Sequence, residues 1–79
     1  MNYYKASYIT RKKKLFSFYK QYDNKYFSVF SWVLEDNVSI FYFFKNKRIA
    51  LSKDMKLISK TEFQRKMIQF LLSSDKFYD

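Results

Sequence analysis

The sequence predicts an α+β fold, in which an antiparallel β-meander of four to five strands packs against one C-terminal α-helix. Segments 25–34 and 38–44 are rich in aromatic and β-branched residues that alternate with the two-residue period of a strand. Residues near 60–73 instead carry apolar side chains at helical spacing. Because consecutive strands joined by short turns usually pair with each other, the sheet is expected to be antiparallel and to span about 3–51 of a single small domain, 1–79.

Asparagines mark the predicted turns, since the chain contains no glycine. Asparagine tolerates the left-handed backbone conformation better than most residues with a Cβ atom. Asn24, Asn37 and Asn46 each lie between apolar runs and predict three hairpin turns. Segment 52–57 is left open between a loop and an extra helical turn capped by Ser52. The predicted strands are, in order, 3–9, 15–21, 25–34, 38–44 and 48–51, with a basic turn at 10–14.

The C-terminal helix carries its own start signals. Ser59 and Glu62 fit a capping box, in which each side chain accepts a hydrogen bond from the other residue's backbone N–H. Ile58 and Phe63 fit the hydrophobic staple that accompanies such a cap. The apolar stripe comprises Phe63, Met67, Ile68, Phe70, Leu71 and Leu72. This stripe can cover one face of the sheet, and the sequence does not decide which one.

The two central strands are apolar on both faces, so the second face also needs a partner. Three interpretations remain open for it. The face is an ordinary core closed by loops and the N-terminal segment, or a protein interface that includes a homodimer through the second sheet face. Alternatively, it is a platform on which unpaired bases stack. The aromatic residues predicted to form this interface are Tyr26, Phe30, Trp32 and Tyr42.

The net charge of +9 is concentrated near the N-terminus, because segment 1–25 has a net charge of +6. The four consecutive cations at 11–14 predict a phosphate-binding turn. The alternative is a solvated turn that keeps a sheet edge from aggregating. An AT-rich coding bias is a further explanation for the abundance of lysine and aromatic residues. The residues predicted to contact nucleic acid are Arg11, Lys12, Lys13, Lys14, Lys20, Lys45, Lys47 and Arg48.

The sequence offers little for catalysis. It has no cysteine and no histidine, which removes thiolate chemistry, the usual general base and the commonest metal ligand. Turns explain Asp23 and Asp36, the helix cap explains Glu62, and the remaining carboxylates form no spaced pair suited to general acid and base chemistry. A chain without glycine contains no glycine-rich phosphate loop. We therefore expect no enzyme activity, no cofactor and no metal. We also expect a cytoplasmic protein without a secretory signal or a membrane segment.

Two functions are compatible with these features. The first is a small basic, non-enzymatic protein that contacts nucleic acid or a nucleic-acid-bound complex through a Lys-rich turn and an aromatic sheet face. The second is an inhibitor of the phage or mobile-element type, an anti-defence or host-takeover regulator that docks on a host protein or ribonucleoprotein. A strand meander followed by one helix resembles the layout of single-strand-binding coactivator domains, but the glycines expected at their turns are missing.

Overall fold

The fold is an antiparallel sheet with one helix on it, as the sequence predicts. The structure, a computed structural model, describes residues 1–73 and 77–78, with side chains described through residue 72. The elements are β1 (Tyr3–Ile9), β2 (Lys13–Gln21), β3 (Tyr26–Glu35), β4 (Val38–Arg48), β5 (Lys56–Ile58), α1 (Lys60–Ser73) and β6 (Phe77–Tyr78). The strand order is β5-β1-β2-β3-β4-β6, antiparallel throughout except for the short β6, which pairs in parallel with β4.

Polar side chains close the turns that glycine would otherwise make. Asp36 and Asn37 have φ angles of 51° and 61°, which suits a two-residue hairpin turn between β3 and β4. The Thr10 hydroxyl accepts a hydrogen bond from the Lys13 N–H at 3.1 Å and closes the turn between β1 and β2. The Asp23 carboxylate accepts from two backbone N–H groups in the turn between β2 and β3. The predicted turns around Asn24 and Asn37 are confirmed.

The third predicted turn is wrong, because Asn46 lies inside β4. Its φ of 54° belongs to a β-bulge, where the pairing of β3 with β4 shifts register between Phe27 and Val29. A bulge and a hairpin turn both use the left-handed conformation, so the asparagine signal fits either one. The predicted strand 48–51 is therefore absent. A turn at 53–54 leads instead into β5, which pairs with β1.

The helix packs on the face of the sheet that carries Phe30. Phe63 contacts Tyr3 and Phe30, with ring centroids 4.9 Å and 5.2 Å apart. Phe70 lies 4.7 Å from Phe30 and 5.1 Å from Phe41. These aromatic contacts form the main core of the molecule. They also show which face of the sheet the helix covers, which the sequence did not decide.

A loop crosses the opposite face. The chain must pass from β4 to β5, and these strands lie on opposite sides of β1, β2 and β3. Residues 49–55, here called the crossing loop, make this connection. Ser52 and Asp54 of this loop line a small cavity together with Ser17 and Tyr19. Phe27 on this face is completely buried. The crossing loop thus lies over the second face at Ser17 and Tyr19, and Phe27 on the same face is buried as in an ordinary core, which was one of the three interpretations.

The helix cap forms only in part as predicted. The Glu62 N–H donates to the Ser59 hydroxyl at 3.1 Å, so the serine caps the helix. The Glu62 carboxylate turns away and binds the Lys5 ammonium at 2.9 Å, which ties the first helical turn to β1. No helix among the described residues has both the length and the apolar character that crossing a membrane requires.

Candidate nucleic-acid interface

Sheet register brings basic residues from distant parts of the sequence to one end of the sheet. Lys20 of β2 pairs with Ser28 of β3, and Tyr26 of β3 pairs with Arg48 of β4. The Ile49 N–H donates to the Lys25 carbonyl at 2.9 Å, which holds the turn after β2 beside the end of β4. We call this end the basic corner. It contains Lys20, Lys25, Lys45, Lys47 and Arg48, together with Tyr22 and Tyr26.

The bulge at Asn46 determines how β4 presents its lysines. In a regular strand Lys45 and Lys47 would share one face, because they are two residues apart. The extra residue breaks this alternation. Lys45 lies 5.8 Å from the ring centroid of Phe43, whereas Lys47 lies 5.0 Å from that of Phe44, on the other side of the strand. The basic corner therefore carries positive charge on both faces of the sheet.

Among residues 1–73, no carboxylate forms an ion pair with a cation of the basic corner. Asp23 is the acidic residue of the adjoining turn, and its Oδ1 accepts from the Lys25 N–H at 3.1 Å and the Tyr26 N–H at 3.2 Å. In residues 1–73, the only ion pair within 4 Å joins Lys5 to Glu62, away from the corner. The five cations are consequently available to an external anion.

Two tyrosine rings lie among these cations. Tyr22 and Tyr26 are 48% and 43% exposed, so about half of each ring is open to solvent. The Tyr22 hydroxyl forms a 2.6 Å hydrogen bond with the hydroxyl of Ser28, and the Lys20 ammonium lies 5.6 Å from the Tyr22 ring centroid. The corner thus combines five cations with two accessible aromatic rings, of which the Tyr22 ring is held by a hydrogen bond to Ser28.

The Lys-rich turn lies at the other end of the sheet. Lys13 pairs across the strands with Glu35, and Asp36 follows in the adjacent turn. Lys13 and Lys20 are seven residue steps apart along β2, a distance of about 23 Å. The eight basic residues predicted from the sequence therefore form two groups of four. In residues 1–73 the group at 11–14 also forms no ion pair, but Lys13 lies directly across from Glu35 in the sheet. Lys25 and Tyr22 were not among the residues predicted from the sequence, although Tyr22 follows Lys20 by two residues, the spacing that places side chains on the same face of a strand.

The four aromatic residues predicted to form one interface do not share a surface. Phe30 is 2% exposed and lies under α1. Trp32 stacks between Phe16 and Phe41 on the same covered face. Tyr42 lies on the opposite face and stacks on Phe44, with centroids 6.2 Å apart. Of the four, only Tyr26 lies at the basic corner. Phe30 and Trp32 lie on the face that the helix covers, which the sequence did not decide.

Neither a metal site among the described residues nor a similarity to a known protein indicates the function of this chain. The part of the chain that the structure describes contains no group of three or more acidic, cysteine or histidine side chains suited to hold a metal ion. Comparison with protein-family models, curated proteins and solved structures finds no match in any of the three. We therefore infer function from the geometry of the basic corner.

Proposed function

We propose that this protein is a small, basic, non-enzymatic binding protein that contacts single-stranded nucleic acid, free or within a larger complex, at the basic corner. The observation that supports this proposal is the convergence of five cations, none of them in an ion pair with a carboxylate of residues 1–73, on two half-exposed tyrosine rings. Phosphate groups pair with the cations, and bases stack on the rings.

The cations supply the sequence-independent part of the affinity. Each lysine or arginine that neutralises a phosphate releases a condensed counterion, so binding weakens as salt rises. For single strands the logarithm of the binding constant falls with a slope of about −0.7 per phosphate contact. Five contacts give a slope of about −3.5, which corresponds to roughly a hundredfold loss of affinity between 50 and 200 mM salt.

The tyrosine rings favour a single strand over a duplex. Stacking of a base on an aromatic side chain contributes about 1–3 kcal/mol and requires an unpaired base. Lys20 and Lys45 lie on either side of β3, about 10 Å apart across two strand spacings. A site of this width contacts a few nucleotides. A longer strand that extends along the sheet reaches the turn at 11–14 as a second, weaker contact.

The direct test is a fluorescence-anisotropy titration of a labelled 12-nucleotide single strand and the matched 12-base-pair duplex, each at 50 and 200 mM salt. We expect micromolar or tighter binding of the single strand at low salt, a clear preference over the duplex, and the hundredfold loss at high salt described above. Absence of binding at 50 mM salt, or binding that does not respond to salt, would contradict the proposal. A preference for the duplex would contradict the role of the tyrosine rings.

A further inference from the structure

A second concave site lies away from the basic corner, between α1 and the sheet. It is a partly open cavity of about 240 Å³. Most of its lining consists of five aromatic side chains, Phe16, Phe18, Trp32, Phe41 and Phe70. The helix contributes two polar residues as well, Lys66 and Gln69.

The aromatic rings form an ordered row across three strands. Trp32 stacks on Phe16 at 5.2 Å with an interplanar angle of 24°, and on Phe41 at 6.3 Å with an angle of 7°. Phe70 lies across this row, at 76° to both Trp32 and Phe41. An aromatic ring laid over the row in this edge-to-face arrangement is favoured by the ring quadrupoles. The row therefore accepts a further planar ring beside Phe70.

The cavity has room for such a ring. Apolar cavities of about 150 Å³ are known to bind benzene, so a volume of 240 Å³ accommodates a larger planar molecule. A ligand seated against the aromatic row gains dispersion contacts with its rings. In addition, the indole N–H of Trp32 is buried and has no hydrogen-bond acceptor among the described residues. A ligand that brings an acceptor within reach of this group gains a hydrogen bond.

The charge at the cavity is positive. Lys66 is half-buried in the lining and forms no ion pair with a carboxylate in residues 1–73. Its neighbour one helical turn earlier, Glu62, is already paired with Lys5 at 2.9 Å. A ligand with a carboxylate or similar anionic group would therefore find one ammonium partner next to the aromatic row.

We propose that this cavity binds a small planar aromatic anion, whose ring lies on the row Phe16–Trp32–Phe41 and whose anionic group pairs with Lys66. This site uses none of the residues of the basic corner. It therefore stands or falls independently of nucleic-acid binding.

The test is a titration of the full chain with 2-naphthoate, followed by the fluorescence of Trp32, which is the only tryptophan. Amide chemical shifts of Phe16 and Phe41 locate the binding site by NMR. A ligand of this size with ordinary efficiency should bind with a Kd of about 1 mM or tighter. Neutral 2-naphthalenemethanol and non-aromatic octanoate should each bind roughly fivefold more weakly, since each lacks one of the two recognition elements. Absence of saturable changes, or equal affinity for all three compounds, would overturn the proposal.

A pair of matched variants tests the lysine. Lys66→Gln removes the charge at the cavity, whereas Lys60→Gln removes the same charge from the first turn of the same helix, away from the cavity. We expect Lys66→Gln to weaken naphthoate binding roughly fivefold while leaving the affinity for the neutral alcohol unchanged. Lys60→Gln should leave both affinities unchanged. An equal effect of the two substitutions would show that only the overall charge of the protein matters, which would overturn the assignment of Lys66.

Discussion

Asn46 is the residue on which the geometry of the basic corner depends most directly. It lies inside β4 with a φ of 54°, and the bulge around it sends Lys45 and Lys47 to opposite sides of the strand. Asparagine accepts this left-handed conformation, whereas a β-branched residue does so only at a high conformational cost. The φ angle of Asn46 therefore determines on which side of β4 the ammonium groups of Lys45 and Lys47 lie.

This dependence predicts the effect of substitutions at position 46. Asn46→Val should lower the free energy of unfolding by about 1–2 kcal/mol, because valine resists the left-handed conformation. Asn46→Gly should leave stability nearly unchanged, since glycine adopts this conformation freely. Urea denaturation measures both. Asn24→Val is the matched control, because Asn24 is an exposed turn residue without a positive φ. Equal destabilisation at positions 24 and 46 would contradict this account of the bulge.

The exposed ring of Tyr26 should contribute to binding without contributing to the core. Tyr26→Ala is expected to weaken single-strand binding at least fivefold, which corresponds to a stacking contribution of about 1 kcal/mol or more. Tyr8→Ala removes a ring that is 61% exposed on β1, outside the corner, and should leave binding unchanged. Anisotropy titration of both variants at low salt makes the comparison. If the two substitutions had the same effect, base stacking at the corner would be ruled out.

Among the elements, the crossing loop determines whether the sheet face opposite the helix is buried or open to solvent. Phe27 lies on the face opposite the helix and is completely buried, close to the rings of Tyr4 and Tyr19. Ser17 and Ser31 on the same face are also buried and share a 2.8 Å hydrogen bond between their hydroxyl groups. The molecule therefore has two cores, one under the helix and a smaller one under the loop.

The smaller core predicts an asymmetry between two apolar residues on the same face. Phe27→Ala should lower the free energy of unfolding by about 3–5 kcal/mol, as expected for a large aromatic side chain removed from a packed site. Leu57→Ala should change it by about 0.5 kcal/mol or less, because Leu57 is 68% exposed. Chemical denaturation monitored by circular dichroism tests both. A small effect of Phe27→Ala would mean that the loop does not close this face.

The helix and most of the sheet could be predicted from local patterns, whereas the crossing loop could not. The predicted bounds 60–73 match α1, whose apolar residues recur at helical spacing. The predicted bounds 3–9 match β1 as well, although that segment is apolar on neither face cleanly. The short β5 was missed because its three residues carry no pattern of their own and are held by pairing with β1. The face under the helix was left open because apolar residues occupy both faces of β3, and only the three-dimensional packing decides between them.

For the whole molecule, the number of basic residues and their positions in the fold have different causes. Coding bias can raise the number of lysines, but the sheet register determines where they lie. Three separate stretches of sequence, at 20, 25 and 45–48, meet only because β2 pairs with β3 and β3 pairs with β4 around a bulge. Most of these residues could be named from the sequence, and the order of a meander already places the turn at 23–24 and segment 45–48 at the same end of the sheet. The exact register and the bulge could not be predicted, since they depend on pairing between distant strands.

The measurement that tests the central claim most directly compares two charge-reversal variants. One carries Lys45→Glu, Lys47→Glu and Arg48→Glu at the basic corner, and the other carries Lys12→Glu, Lys13→Glu and Lys14→Glu at the opposite turn. Each lowers the net charge from +9 to +3, so any general effect of charge is the same in both. Circular dichroism confirms that each variant is folded before binding of the single strand is measured at 50 mM salt.

We predict that the variant at the corner loses roughly a hundredfold or more in affinity, because it replaces three phosphate contacts with repulsion. The variant at the opposite turn should lose less than about tenfold, from the reduced charge at a distance and the loss of the weaker second contact. Equal losses in the two variants would show that binding follows net charge alone. A larger loss at the opposite turn would place the site there and contradict the assignment of the basic corner.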